Sequence, residues 1–416
     1  MSKSKKKKPK ACGSKQEEAA RFNTFYKNLK ELLDCWNCGH VLQLMDKHER
    51  QAFYAQRIQP VQVLLEPHTI LTKDEVGDIA NLLYEQFNEP KLYLEDLDKH
   101  FSLKQYLGGL MEIQYLTGIA ENGTFKQSSA MAEQLKRTHN IKTLSESAEK
   151  VLQVTIMVVE SFISNLMRKI VFITIRVNSP ATAKNGRLGL TLVVKAKEVP
   201  VVQFKIEGHS RPGFRLACSG YDRGSEWRSV NRALFDNVPY TDNLELPVYI
   251  QSHVLQRMAE RLDLVKQRHY HLLLSLALRK PNVIRYRHHY LIQFDIWFVK
   301  AGYLVAELIN DMLLIKTFLF LTAEGTPEGE KLRKLSGLSK VDMQYWNIDR
   351  LSTFLGSDLS ENPTLKQLFT DAGCGSLFNI DLNYELQGHN QLHLAEQLIR
   401  YMKQEDDNND LPPLQH

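Results

Sequence analysis

Between Ser252 and Thr322 the spacing of apolar residues changes from every third or fourth position to every second, and that change leaves few folds open. Each residue of an α-helix turns about 100°. Over Ser252 to Arg261 this places Leu255, Met258 and Leu262 on one side and His253, Arg257, Glu260 and Arg261 on the other. A second helical run, 264–279, is closed by Pro281, because the residue before a proline is pushed out of the helical region. From Tyr290 to Val299 the residues Tyr290, Ile292, Phe294, Ile296 and Phe298 alternate with Gln293 and Asp295, which predicts a strand with one buried face. Asn310 and Asp311 read as a tight turn between two more strands, 302–309 and 312–322, and the near-continuous apolar run of the second predicts a central strand. Residues 245–325 are therefore expected to form two helices, the first beginning after Pro247, followed by an antiparallel meander.

The rest of the chain extends this to an α+β fold. Residues 1–18 are a lysine-rich tail expected to be disordered, and 404–416 an acidic one. From 19 to 168 the periodicity is helical, and Thr72 with Glu75 and Thr143 with Glu146 each fit a capping box opening an amphipathic run. Residues 169–244 turn β-branched, with runs at 170–177, 188–195 and 199–206 and a turn signal at Asn185-Gly186, and are read as antiparallel strands. Gly208, Gly213, Gly220 and Gly224 lack the spacing of a phosphate or dinucleotide fingerprint, so 209–224 reads as a loop. Thr326-Pro327 and Asn362-Pro363 each look like an N-cap with proline at the first helical position, returning 326–403 to helix.

Composition bounds the function classes. At 416 residues, 43% hydrophobic and 24% charged, the chain has the make-up of an ordinary globular protein of more than one domain. Its net charge of +5 does not by itself imply nucleic acid, so distribution matters more. From His253 to Tyr290 eight Lys or Arg stand against two acids, and five of the 14 histidines fall in the same window. The basic N-terminus has no apolar stretch behind it, and Glu160, Arg168 and Lys169 and then Glu307, Asp311 and Lys316 interrupt the two most apolar stretches, so neither a secretory signal nor a membrane span is expected. Five scattered cysteines argue against a disulfide framework and for a reducing, cytoplasmic setting.

Four sets of residues are candidates for chemistry. The first is the helix stripe. An imidazole exchanges protons near neutral pH, and guanidinium groups hold a phosphate bidentately and stabilise charge that develops on it. A solvated face is the competing reading, since Arg257 and Glu260 are an i, i+3 pair that suits any surface helix. The second set is in the hairpin, where a two-residue turn pairs Glu307 with Leu314 and makes Lys316 a diagonal neighbour of Glu307 on the face that also carries Tyr303; a cleft and a structural ion pair both fit. The third, Cys35 and Cys38 with His40 or His48, has the first half of a zinc site but no second pair at matching spacing, and reads as two incidental thiols. The fourth is basic: Arg279, Lys280, Arg285 and Arg287 are candidate nucleic-acid contacts, and the lysines from Lys3 to Lys10 add a salt-sensitive attraction to phosphates or simply keep the tail soluble. No P-loop, nucleophile elbow, His-Glu-x-x-His helix or paired-acid nuclease pattern is present, and no metal or cofactor is expected.

A helix carrying His253, Arg257 and Arg261, a second helix ending at a proline, and an antiparallel meander together resemble the RelE-like and barnase-like ribonuclease toxin domains of bacteria, over about 250–322. In particular the segment resembles the uncharacterised branch whose first helix carries His-x-x-x-Arg-x-x-x-Arg, although the glycine that often follows the last arginine is Leu262 here. The resemblance implies two helices on a curved antiparallel sheet and RNA as the target. It does not by itself imply activity; the side chains of the stripe meet the requirements of metal-independent RNA cleavage, with His253 transferring a proton and Arg257 and Arg261 holding phosphate, and Glu260, Glu307 and Lys316 in support. Two other readings stay open: a non-catalytic scaffold whose helical regions bind a protein partner, and an enzyme acting on a small molecule through 169–240.

Overall fold

A computed structural model describes residues 15–178, 188–220, 224–235, 244–382 and 393–409. The fold is α+β, with helices toward both ends of the chain and a strand-rich middle. The chain divides into two compact units, one drawn from Met1–Pro67, Lys73–Ile156 and Ile173–Val194, the other from His68–Thr72, Met157–Phe172 and Lys195–His416.

The first unit is mainly helical, as the periodicity predicts. The helix Lys47–Gln56 opens on a reciprocal capping box, in which Asp46 accepts from the Glu49 amide at 2.9 Å and Glu49 accepts from the Asp46 amide at 2.7 Å. Helices also start directly after Thr72 and Thr143. Three short strands depart from the expectation. Gln59–Leu65 pairs in parallel with residues 189–194, and Pro90–Leu94 pairs with Lys99–Ser102. Pro60 lies within the first of these and Pro67 just beyond it, each removing a backbone donor that a helix would need. The Asn185-Gly186 turn and both chain tails lie outside the described residues.

The second unit is built around one main sheet. Seven of its eight strands are β1 (Val201–Ile206), β2 (His209–Arg215), β3 (Glu245–Ile250), β4 (Val283–Tyr286), β5 (His289–Ile296), β6 (Val299–Ile309) and β7 (Met312–Phe320), in the spatial order β4-β5-β6-β7-β3-β2-β1; the eighth, Ser229–Asn231, pairs antiparallel with β3 off this row, and Ala217–Gly220 with Gly224–Trp227 forms a separate two-stranded pair. The meander β4 to β7 is antiparallel, and Glu307 stands opposite Leu314 as the hairpin register predicts. Asn310 and Asp311, at φ 49° and 58°, make the tight turn, and β7 is the central strand. One edge of β7 is not antiparallel: β3 runs parallel to it, with Val248 opposite Leu313. β3 was expected to belong to a helix beginning after Pro247, but Leu246, Val248 and Ile250 alternate inward and are fully buried, and the helix α1 starts at Ser252 (Ser252–Arg261).

In the segment read as a loop at 209–224, His209–Arg215 and Ala217–Gly220 are strands, and 221–223 lie outside the described residues. β2 returns from β1 through Glu207 and Gly208, both at positive φ, a turn that matches the strand twist. Gly213 sits under Phe204, whose ring a Cβ would meet at 2.4 Å. Gly208 thus serves a turn and Gly213 close packing.

On α1 the buried seam is Val254, Met258 and Leu262; Leu255, expected in the core, is only half-buried. The second helix, α2 (Tyr270–Arg279), ends before Pro281. Two further helices, α3 (Pro327–Ser336) and α4 (Lys340–Tyr345), follow the sheet, and Thr326 caps α3 by accepting from the Gly329 amide at 2.9 Å. Asn362 likewise caps Pro363–Ala372. Phe320 of β7 meets Phe354, which meets Phe369, so the helices after residue 326 share one core with the sheet.

In the first unit Glu112 is buried, with one oxygen accepting from the Ile58 amide at 2.5 Å and the other without a hydrogen-bond partner. Burial raises its carboxyl to about 7, against the opposing pull of that hydrogen bond and of Arg57. Because the folded value is the higher, its contribution to stability is full below the unfolded value near 4.5 and is lost as pH rises through about 7. Glu112→Gln should therefore flatten the loss of thermal stability between mildly acidic and mildly alkaline pH, and should be the more stable form on the alkaline side by about 1–3 kcal/mol. A parallel fall of melting temperature with pH in variant and wild type would exclude Glu112 as the cause.

Candidate functional site

A cleft of about 270 Å³ opens in the second unit, and α1 lines it with His253, Arg257 and Arg261. The seam of Val254, Met258 and Leu262 fixes the rotation of α1, and the i, i+4, i+8 spacing then aims all three polar side chains the same way. β7 contributes Thr317 to Phe320, the turn after it Thr322 to Glu324, α3 Gly329 and Arg333, α4 Lys340, Met343 and Gln344, and the turn after α4 Asp349. Gly329 lets α3 press against that turn; a Cβ there would meet the Ala323 carbonyl oxygen at 2.1 Å.

Cations dominate the lining. Arg257, Arg261, Arg333 and Lys340 face Glu324 and Asp349. Arg257 Nε donates to His253 Nε2 at 3.3 Å, and its Nη1 donates to Glu260. Burial pushes the Glu260 carboxyl up, but the hydrogen bond and charge of Arg257 outweigh it and the net displacement is downward. Arg261 Nη1 donates to Asp349 Oδ2 in a pair that is nearly withdrawn from solvent, while Asp349 Oδ1 is buried without a hydrogen-bond partner. Burial holds the Asp349 carboxyl above its usual range, opposed by the charges of Arg261 and Arg350. Arg333 and Glu324 stand 3.7 Å apart at the exposed rim.

His253, Arg257 and Arg261 thus meet in one concavity, with Glu260 bracing Arg257 from outside the lining. Glu307 and Lys316 do not join them. They pair with each other at 2.8 Å, Lys316 falling at a bulge where Val305 is opposite Thr317 and Ala306 opposite Ile315. Tyr303 turns elsewhere, to Glu328 and Lys300. Arg279, Lys280, Arg285 and Arg287 are exposed at the end of α2 and along the β4 hairpin, outside the cleft lining, with Arg287 paired to Glu330. Cys38 is buried and donates to the Trp36 and Gln134 carbonyls, His40 is exposed, and no group of His, Cys, Asp and Glu among the described residues could hold a metal ion. Lys3 to Lys10 lie outside the described residues.

Arg333, Lys340 and Asp349 escaped the sequence reading because they lie 72 or more positions beyond Arg261, in a region whose pattern spoke only of helix. The caps at Thr326 and Ser339 place those helices but carry no signal of what they face. No protein-family model, curated protein or solved structure matches the chain. Among the described residues no helix is long and apolar enough to cross a membrane.

The two ion pairs differ in what their loss should do. Asp349→Ala strands Arg261 against a nearly closed surface and is expected to cost about 3 kcal/mol in chemical denaturation. Lys316→Met leaves Glu307, whose side chain is 40% exposed, free to hydrate, and should cost less than about 1 kcal/mol. Equal effects would mean that burial does not separate the pairs.

Proposed function

We propose that this protein is a metal-independent endoribonuclease of toxin type, acting through the α1 cleft. The observation that carries the reading is the convergence of His253, Arg257 and Arg261 with Arg333 and Lys340 around one concave surface. In this reading a phosphodiester sits against the guanidinium groups, which neutralise it and stabilise the additional charge of the pentacoordinate transition state. The ribose 2′-hydroxyl attacks its own phosphate and His253 transfers a proton. The products are a 2′,3′-cyclic phosphate and a free 5′-hydroxyl. The likeness of 250–322 to RelE-like and barnase-like domains supports this choice of substrate, as does the basic strip Arg279, Lys280, Arg285 and Arg287, which would draw RNA toward the protein from outside the cleft. A cytoplasmic location suits a chain with free cysteines acting on RNA.

The pairing of Arg261 with Asp349 and of Arg257 with Glu260 favours a second reading, a non-catalytic interaction protein in which the helix face is held by ion pairs alone. Cleavage of single-stranded RNA separates the two. His253→Ala should lower the rate by about 10²–10⁴-fold while RNA binding stays intact. Because the ring is half-buried, melting should change little, by about 0.5 kcal/mol or less. A wild type that cleaves no RNA would leave the interaction protein as the better reading.

The basic strip has its own test. RNA affinity should fall steeply with salt, because each phosphate contact releases counterions. Replacing Arg279, Lys280, Arg285 and Arg287 together by Ser should flatten that slope. An unchanged slope would remove the strip from RNA binding and leave the cleft untouched.

A further inference from the structure

The first unit holds a larger cavity than the α1 cleft, of about 820 Å³, a volume that suits a small-molecule site. Two helices wall it. Lys15, Glu18 and Phe22 come from one stripe of the helix Lys15–Leu33, and Lys47, Arg50 and Tyr54 from one stripe of the helix Lys47–Gln56, which Arg57 directly follows. The four cations stand against one lining carboxylate, Glu18. Glu112 lies near Arg57, but burial raises its carboxyl to about 7, so at neutral pH it is only partly ionised and offsets little of the excess. Lys15 and Lys47 are exposed and have no partner among the described residues. Like charges gathered on one concave wall repel one another, and an anion that enters relieves the repulsion.

The same wall is also flat at one end. The Arg57 guanidinium lies over the Tyr54 ring, 3.7 Å from its centre, and donates to the Tyr54 carbonyl at 2.7 Å. Phe22, half-buried, meets that ring edge-on at 5.0 Å. Arg50 is anchored too, its Nη2 donating to the Leu42 carbonyl at 2.6 Å. Guanidinium groups held in this way lose little freedom when a ligand arrives. Lys47, Arg50 and Tyr54 follow one another along about 10 Å of helix, so the cationic and aromatic ends of the cavity are separate. An acidic peptide would satisfy the cations and leave the stack unused.

We propose that this cavity binds a nucleotide, its base against Phe22 and the Tyr54–Arg57 stack and its phosphate among Lys15, Lys47 and Arg50. Stacking accepts any base, since each has a π face, and the cations pair with phosphate oxygens. A free nucleotide and one residue of a single-stranded RNA offer the same ring and the same phosphate. The site belongs to the first unit and does not rest on the ribonuclease reading.

Calorimetry on the full chain tests it with adenosine 5′-monophosphate (AMP), adenosine, inorganic phosphate and a short 5′-phosphorylated oligonucleotide made uncleavable by 2′-O-methyl groups. AMP should bind once per chain, about tenfold or more tighter than adenosine or phosphate, and should weaken with salt. Lys15→Ser combined with Lys47→Ser should weaken AMP about tenfold and leave adenosine unchanged. Arg57→Lys, which keeps the charge and removes the flat group, should weaken both. An oligonucleotide that binds more tightly than AMP, and loses that affinity in the same variants, identifies RNA as the source; one that binds no tighter identifies a free nucleotide. Phosphate binding as tightly as AMP reduces the site to an anion pocket and overturns the proposal. Binding of an oligo-glutamate peptide but not of AMP does the same, as does AMP binding that both variants leave unchanged, or no binding of AMP or oligonucleotide at all. If Arg57→Lys does not fold, the paired lysine variant decides, since neither lysine has a partner to lose.

Discussion

The pairing of β7 on both edges is the constraint from which the second unit follows. β6 holds it antiparallel and β3 holds it parallel, and Leu313, Leu314, Ile315, Phe318 and Phe320 are all buried. A strand covered on both faces needs helices to cover it, and α1 does so through Val254, Met258 and Leu262, each contributing about 1.5–3 kcal/mol of apolar burial. The same seam decides which way His253, Arg257 and Arg261 point. Packing and the candidate chemistry are therefore set by one rotation of one helix. A substitution in the seam would disturb the cleft without touching any residue that lines it.

Charge in the cleft is arranged at two depths. At the mouth, Arg333 and Lys340 are exposed, where water and salt weaken any attraction to a few tenths of a kcal/mol and where they serve mainly to steer. Deeper in, Arg261 and Asp349 are largely withdrawn from water, so their mutual attraction is screened far less and fixes the guanidinium. Arg257 stands between, bonded to His253 on one side and to Glu260 on the other. A guanidinium already held in place loses less side-chain freedom when a phosphate arrives than a free one would. Those ion pairs, which a solvated helix face also displays, are thereby compatible with a preorganised anion site.

Much of the second unit was legible because its signals are local. Alternation at 290–299, the Asn310-Asp311 turn and the proline-marked caps at Thr326 and Asn362 each depend on residues within a few positions of one another. What stayed hidden is non-local. The parallel contact of β3 with β7 joins residues more than 60 apart, and Pro247 masked the alternation of Leu246, Val248 and Ile250. Glycines at 208 and 213 looked like a loop because a turn and a tight packing position read alike without their partner, Phe204. On α1, Val254 and Leu255 lie only 100° apart, so the pattern gave the polar stripe correctly while placing the core side one residue off.

The candidate site was legible by half for the same reason. A His-x-x-x-Arg-x-x-x-Arg helix presents a row of donors, but a row on a convex helix touches a ligand from one side only and leaves it in water. The opposing groups must come from elsewhere in the fold, and here they come from α3, α4 and the turn that carries Asp349. The approach of that side is limited by Gly329, since any larger residue would push α3 away from Ala323 and open the cleft. Two carboxylates that line the cleft are then distinguished by depth: Glu324, in water, is a weak partner for Arg333, whereas Asp349, out of water, is a firm anchor for Arg261. Whether a carboxylate stabilises a fold or serves a reaction is not written in its sequence neighbours. It follows from how much water the fold leaves it.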